Sequence, residues 1–391
     1  MSSQSTFVTQ LLRLYHRNIP AGSEPIELPT INQAEYLCHA GLGPIAFRIY
    51  GDVFRQSDSA IYPILLSANL TTQVIYSQME EAAVQLAKGL NRMDIVPIYL
   101  KGISTSSEFY EPPYLRVMGD IDILVKHSEV DRVMTRISEL GYIVTDEQWR
   151  HYEKHGSHHL PEARHPLTGI SIEVHTGLFG VAEFYSQESA FHAENIAEQA
   201  VEFDYRGTRG ARFTPELQLI YTVSKWSVDS SWSVNLTNIN DTIHILKKYE
   251  SVLDWTTLST WFAASPHLFP TTAALLHYLE QADIVSVSPK LREAIAGADR
   301  KLAPRTMKLL LWLLHTYPFN ARNAIHAGFS RWCSHSLWLL LTNPNRRSLG
   351  IPGAILYQFC ISAIYGENYS LRRLLSAAKA LIHRPAIENK K

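Results

Sequence analysis

The stretch Arg116–His127, "RVMGDIDILVKH", sets the reading of the whole chain. Asp is a poor strand former, yet Asp120 and Asp122 alternate with Ile121, Ile123 and Val125 in what otherwise reads as a buried strand. Residues i and i+2 of a strand share a face, so the two carboxylates project together while the apolar side chains pack behind them. Paired carboxylates near a core repel and lose hydration, and one protonates unless a cation joins them. A divalent metal resolves the conflict, because Mg²⁺ takes hard oxygen ligands and keeps waters and substrate phosphates in its shell.

Working outward, "IVPIYLKG" (95–102) is a short apolar run ending at Gly102 and predicts a buried strand, with a helix starting in "ISTSSEFY". "SEVDRVMTRISELG" (128–141) predicts a helix with Ser128 as N-cap and Gly141 as its stop. "GISIEVHTGLF" (169–179) alternates again, which makes a third strand and puts Glu173 among apolar neighbours. A third acid on a neighbouring strand completes a two-metal site, in which ions about 3.5–4 Å apart activate an attacking hydroxyl and stabilise a leaving phosphate. The alternative for an isolated Asp-x-Asp is that Asp120 faces water at a strand edge and Glu173 pairs with a surface Lys or Arg.

The first ninety residues carry helical spacing. "INQAEYLCHAGLGPIAFRIYGDVF" (31–54) and "TTQVIYSQMEEAAVQLAKGLNRM" (71–93) are the segments, the second capped by Thr71 or Thr72. "EQWRHYEKHGSHHLPEARHPLTG" (147–169) is polar and rich in His, and reads as a loop or hairpin. After "RFTPELQLIYTVSKWSV" (212–228) the pattern stays helical, with segments near 234–249, 254–264, 270–283, 303–317, 329–341, 351–365 and 370–383 between Pro, Asn or Gly breaks. The expected class is α+β: a helical lead-in over 1–94, a small mixed-sheet core over 95–210, and a mostly helical region over 211–391.

Composition bounds the function classes. Of 391 residues, 46% are hydrophobic and 19% charged, which supports a large core and excludes a disordered chain. Cys38, Cys333 and Cys360 have no close spacing, so neither a disulfide framework nor a Cys-based zinc site is expected, and a reducing, cytoplasmic setting fits. The N-terminal "MSSQSTFVTQLLRLYHRN" does not read as a secretory signal. No uncharged apolar run approaches 18 residues, so no transmembrane segment is expected. The longest candidate, "LGIPGAILYQFCISAIYG", reads as a buried helix.

Net charge is −1, but from Arg300 onward 14 Lys and Arg face two Asp and Glu. That region, basic after about 300, fits an anionic partner such as nucleic acid, an acidic membrane surface, a peptide, docking onto the rest of the chain, or simply a solvated face. Trp332, Trp338 and Tyr365 there sit among Leu and Ile and read as core.

Other catalytic signatures are missing. There is no G-x-x-x-x-G-K-[ST], no G-x-G-x-x-G and no H-E-x-x-H. His151, His155, His158, His159 and His165 lie without a nearby Cys to complete a zinc set, and are expected to line a cleft. His175 falls on the Glu173 face of its strand, as a possible accessory group or a satisfied core histidine.

With these elements in order, "YLKGISTSSEFYEPPYLRVMGDIDILVKHSEVDRVMTRISELGY" resembles the uncharacterised-nucleotidyltransferase family of the polymerase-β-type superfamily. The resemblance rests on Lys101-Gly102 opening a helix, Arg116 before Gly119-Asp120-x-Asp122, the helix ending in Gly141-Tyr142, and Glu173-x-His175 after a His-containing segment. "FTPELQLIYTVSKW" and "NDTIHILKK", the second through Asp241, extend it to about 30–250. It departs at "TVSKWSVD", where the family often carries His, and Lys-Gly stands where the wider superfamily has a Gly-Ser turn.

The resemblance implies a polymerase-β-like fold and Mg²⁺-dependent (or Mn²⁺-dependent) transfer of a nucleoside monophosphate from an NTP to an acceptor, with release of pyrophosphate and two ions at the site. Asp120, Asp122 and Glu173 would be metal ligands, Glu173 alternatively a general base. Lys101, Gly102, Ser104 and Arg116 would bind the nucleotide, although Lys101 can equally be a strand-end lysine and Arg116 can pair with an acid of the fold. His175, Lys225 and Asp241 are possible accessory residues, and surface positions are the alternative for Lys225 and Asp241. The acceptor is open between a small molecule, a peptide or protein, and RNA. Two other readings stand beside it: a non-catalytic nucleotide- or partner-binding module on the same scaffold, and a toxin-like enzyme that modifies tRNA.

Overall fold

The computed structural model describes residues 7–17, 27–155, 158–179, 195–228, 235–264, 268–293, 303–319, 335 and 337–342. Within them the chain is α+β. Helices α1 (Phe7–Arg17), α2 (Ile31–His39), α3 (Gly43–Gln56) and α4 (Ile61–Asn91) lead into strand β1 (Ile98–Tyr99) and α5 (Ile103–Phe109). Strand β2 (Ile121–Leu124), helices α6 (Val130–Glu139) and α7 (Asp146–His155), and strands β3 (Ala163–Arg164) and β4 (Ser171–His175) follow. The hairpin of β5 (Ala200–Tyr205) and β6 (Thr208–Phe213) then gives way to helices α8 (Pro215–Val228), α9 (Thr237–Tyr249), α10 (Trp255–Ala264), α11 (Leu268–Gln281) and α12 (Pro304–Thr316).

The strands form one six-stranded mixed sheet in the order β3-β4-β2-β1-β6-β5. Strand β2 is parallel to β4 and antiparallel to β1, and β1 is parallel to β6. Its two faces feed different cores. Ile121, Ile123, Ile172 and Val174 pack with Leu86 and Leu90 of α4 and Val133 and Ile137 of α6. Leu100 and Leu124, on the other side, join a helical core built from Leu11, Leu37 and Ile45 of the lead-in with Leu217, Tyr221, Ile243 and Leu275. The alternation that makes Asp120–Val125 a strand therefore also aims its acids toward the helical side.

Several local expectations are corrected. The 31–54 segment is two helices, because Gly41 adopts φ +77° between them. Helix α4 runs without interruption through Thr71 and Thr72, and Thr72 Oγ1 donates to the Ala68 carbonyl (2.8 Å) inside the helix instead of capping it. Ser128 is not an N-cap: a 3₁₀ turn over His127–Glu129 precedes α6, closed by Lys126 N–H donating to Glu129 Oε2 (3.1 Å). Gly141, at φ +88°, does end α6.

Residues 147–155 are helical, not a loop. Thr145 and Gln148 cap each other reciprocally, Thr145 N–H to Gln148 Oε1 at 2.9 Å and Gln148 N–H to Thr145 Oγ1 at 3.3 Å. Trp149 and Tyr152 lay one face of α7 on the sheet core, a stripe that the surrounding polar residues conceal. The β5–β6 hairpin was not foreseen: its two-residue turn is Arg206-Gly207, both at positive φ, where Asn-Gly or Asp-Gly is the usual signal.

The expected helices near 234–249, 254–264, 270–283 and 303–317 correspond to α9 through α12. Of the helix expected at 329–341 only 335 and 337–341 are described, as helical, and those expected at 351–365 and 370–383, with everything beyond 342, lie outside the described residues. Among the described residues no helix is long and apolar enough to cross a membrane.

Candidate active site

The parallel pairing of β2 and β4 is what assembles the acids. Its register sets Asp122 beside Glu173 and Leu124 beside His175, so the inward-facing residues of the two strands become lateral neighbours. Strand β1 docks on the other side of β2, with Leu100 N–H donating to the Asp122 carbonyl (3.3 Å). Strict alternation would send Lys101 to the Tyr99 face. The chain bends there instead, and the Lys101 ammonium reaches Asp122 Oδ2 at 3.2 Å and Asp120 Oδ1 at 3.8 Å.

Gly102 permits that bend. It sits at φ +54°, and a Cβ at this position would meet Met118 Sδ at 3.2 Å and the Asp120 carbonyl oxygen at 3.6 Å. Only glycine adopts this backbone conformation readily. Helix α5 starts immediately after it. The Ser104 hydroxyl, in the first turn, is buried and has no hydrogen-bond partner.

His175 is the second partner of the acids. Its Nε2 lies 3.0 Å from Asp122 Oδ1 and 3.4 Å from Glu173 Oε2, and its ring is fully buried. One lysine and one histidine thus share three carboxylates: Lys101 lies between Asp120 and Asp122, and His175 bridges Asp122 and Glu173. The ionisation of the acids follows. Burial works to raise the Asp122 carboxyl, but Lys101 and His175 overcome it and hold it well below the usual range. Burial likewise opposes ionisation of Glu173, and hydrogen bonding to His175 reverses that and lowers its pKa. Asp120 is left with the weaker contact. Burial, and then repulsion from Asp122, push it up to about 6. His175 is raised because its bonds to Asp122 and Glu173 outweigh burial.

The donor set fits a divalent metal. Ligand atoms of Asp122, Glu173 and His175 all lie within 4.8 Å of one another. Asp120 adds a carboxylate on the open side, its side chain 32% exposed against 0% for Asp122. Hard carboxylate oxygens gathered at a partly open, cation-seeking position are what Mg²⁺ or Mn²⁺ requires.

The structure places the remaining nominated residues in two groups. Lys225, on α8, lies 3.4 Å from His158 Nε2, and the His158 ring is 5.4 Å from that of His175. His158 and His159 border the acids because their segment pairs with the end of β4, Leu160 N–H to the Val174 carbonyl at 2.8 Å and Thr176 N–H to the His158 carbonyl at 2.9 Å. His158 is depressed to about 2, first by burial and then by Lys225. His151 is exposed on α7 and His165 packs on Tyr142, so the His-rich segment is divided. The side chain of His155 lies outside the description.

Arg116 and Asp241 form the other group. Arg116 Nε and Nη2 donate to both Asp241 oxygens at 2.7–3.0 Å, with both side chains buried. Of the two sequence readings of Arg116, pairing with an acid of the fold is the one for which a partner is present. Tyr110 Oη donates to Asp241 Oδ1 (2.7 Å), and Asn240 links Tyr110 to His16 of α1.

One residue at the acids was missed. Tyr221 of α8 is buried with an unpartnered hydroxyl. Burial raises its pKa, and the charges of Lys101, Asp122, Asp120 and Glu173 all act on it. A tyrosine in an apolar helix carries no sequence signal that separates it from core.

Three acids thus gather at the ends and flanks of two parallel strands, with only Asp122 fully buried, beside a glycine-hinged helix start. The family model of the uncharacterised nucleotidyltransferases matches residues 39–282, and the chain belongs to that family and is a nucleotidyltransferase. The match runs past the motif region to the end of α11. No curated protein and no solved structure matches the chain significantly.

Proposed function

We propose that the protein transfers a nucleoside monophosphate from an NTP to a hydroxyl or phosphate of an acceptor, with release of pyrophosphate, in a Mg²⁺-dependent reaction. The observation that carries this reading is the lateral pairing of Asp122 with Glu173, with Asp120 beside them on the open side. Asp120, Asp122 and Glu173 hold the metal. When bound, divalent ions supply charge neutralisation for the transferring phosphoryl group and a more acidic acceptor hydroxyl.

The chain's own groups do the rest. Lys101 carries positive charge to the phosphates, with the helix start at Gly102 and Ser104 beside it. His175 keeps Asp122 and Glu173 aligned by bridging them. Glu173 is either the third ligand or the base that accepts the acceptor proton, and Asp120 presents its carboxylate on the open side. Arg116 and Asp241 act as framework: their pairing ties Arg116, which precedes β2, to α9.

The test is to incubate the protein with each α-labelled NTP, Mg²⁺ and fractionated cell extract, and to identify the labelled species. Label should move to an acceptor with stoichiometric pyrophosphate release, and Asp120→Asn combined with Asp122→Asn should abolish it while the fold is kept. Undiminished transfer by that double variant refutes the assignment, and nucleotide binding without pyrophosphate release selects the non-catalytic module. The basic region beyond residue 300 favours an anionic acceptor. Affinity for such an acceptor should fall steeply with added salt.

A further inference from the structure

The lysine and the histidine at the acids are held very differently. His175 belongs to β4 itself, two residues beyond Glu173, and its carbonyl accepts the Val125 N–H at 3.1 Å. Its ring is fully buried against Asp122 and Glu173. Lys101 stands outside the two-residue strand β1, on a bend, at the end of a four-carbon stem. Its side chain is 23% exposed, and it approaches the acids from the same open side as Asp120. The ammonium spans an oxygen of Asp120 and an oxygen of Asp122, the position that an ion shared by those two carboxylates would take.

Both cannot occupy it. Mg²⁺ binds oxygen at about 2.0–2.1 Å, so an ion on Asp120 and Asp122 would stand within a few ångströms of the present Nζ. At that separation two positive charges in a partly buried site repel strongly. We propose that Lys101 is an exchangeable counter-ion. Its ammonium fills the seat between Asp120 and Asp122 in the metal-free protein, leaves when a divalent ion enters, and moves to a phosphate of the incoming nucleotide. Metal and nucleotide then bind cooperatively, each relieving the repulsion that the other would meet, and the coupling is reciprocal. The destination of the ammonium rests on the nucleotidyltransferase reading, whereas its displacement by metal does not.

The exchange makes two predictions of opposite sign for Lys101→Met, which keeps the stem and removes the charge. Mn²⁺ titrations of the full chain at pH 8 without nucleotide, followed by electron paramagnetic resonance, should show the variant binding Mn²⁺ at least about tenfold more tightly than the wild type. Inorganic pyrophosphate in saturating Mg²⁺ should bind the variant at least about fivefold more weakly. Lys101→Arg, which restores a cation, should return both values toward the wild type. A lysine that only supports the fold would weaken both ligands in the Met variant.

Mn²⁺ affinity that is unchanged or weaker in Lys101→Met overturns the exchange, whatever the nucleotide does. Tighter Mn²⁺ with unchanged pyrophosphate binding overturns the movement of the ammonium to phosphate. Failure of the labelled-NTP assay with the Mn²⁺ effect intact would instead count against the nucleotidyltransferase reading. If the Met variant does not fold, the wild type decides through its ¹³C-methylated lysines, because the Lys101 resonance must shift when Mg²⁺ saturates the site. A Lys101 signal indifferent to Mg²⁺ ends the proposal.

Discussion

Two clusters of charge, one around Asp241 and one around Asp122, are built on opposite principles. At Arg116 and Asp241 one cation meets one anion, and the guanidinium engages both carboxylate oxygens. Tyr110 donates to the same carboxylate, and Asn240 and His16 extend the network, so the charges are closed off. At Asp120, Asp122 and Glu173 three acids share one lysine and one histidine, Asp120 stays partly exposed, and the hydroxyls of Ser104 and Tyr221 and the Nδ1 of His175 are buried without partners. Closed pairs hold a fold together. An unbalanced cluster with spare polar atoms and an open side has capacity left for a ligand.

That contrast can be broken by substitution. The largest effect should come from Asp122→Asn, which removes the acid shared by Lys101 and His175. Transfer of label from NTP should fall about 10³-fold or more, with the circular-dichroism spectrum retained. An active Asp122→Asn enzyme would make the open cluster as structural as the closed one.

Asp241→Ala should act in the opposite way. It leaves the Arg116 guanidinium buried and unpaired, which costs about 3–5 kcal/mol of stability, measured by denaturant unfolding. Nucleotide affinity of the folded fraction should change little. A loss below about 1 kcal/mol would show that the pair is replaceable and that Arg116 is available for another partner.

Asp120→Asn should raise stability while lowering activity. The native Asp120 pKa is about 6, above the unfolded value near 3.9. Between about pH 4 and 6 the unfolded chain releases this proton while the native chain keeps it, so this group's contribution to stability falls as pH rises. Removing the charge should gain up to about 1 kcal/mol at pH 8, discounted for partial exposure. The stability difference between wild type and variant should open across pH 4–6, and a flat difference would contradict the shift. Asp122 runs the other way: its lowered pKa contributes stability above the ordinary carboxylate range, and that contribution is lost as pH falls below it. Smallest of all, Asp52→Ala breaks only an exposed ion pair with Arg55 at 3.2 Å and should stay within about 0.5 kcal/mol.

Much of the site could be read directly. Asp120, Asp122, Glu173 and His175 follow from period-2 alternation, which assigns a strand residue to a face without knowledge of the rest of the chain. Fold class and most helices followed from apolar spacing, including α9 through α12. Where local chemistry was unusual the reading failed. Helix α7 is capped by a Thr–Gln pair inside a polar segment, and the β5–β6 turn uses Arg206 at φ 53° in place of Asn or Asp. Tyr221 gave no signal, because an unpartnered hydroxyl is a property of its surroundings.

By itself, then, the sequence determined which residues are acids, which strand face they occupy and which family the motif resembles. Each of these is set by covalent order and a two-residue repeat. Tertiary structure decided how the charges are matched. The parallel β2–β4 register put Glu173 beside Asp122, the bend at Gly102 returned Lys101 to the acids, and the docking of α9 gave Arg116 to Asp241. Those pairings depend on distances between segments from about 20 to 125 residues apart, and over such separations only the packed chain sets which charge meets which.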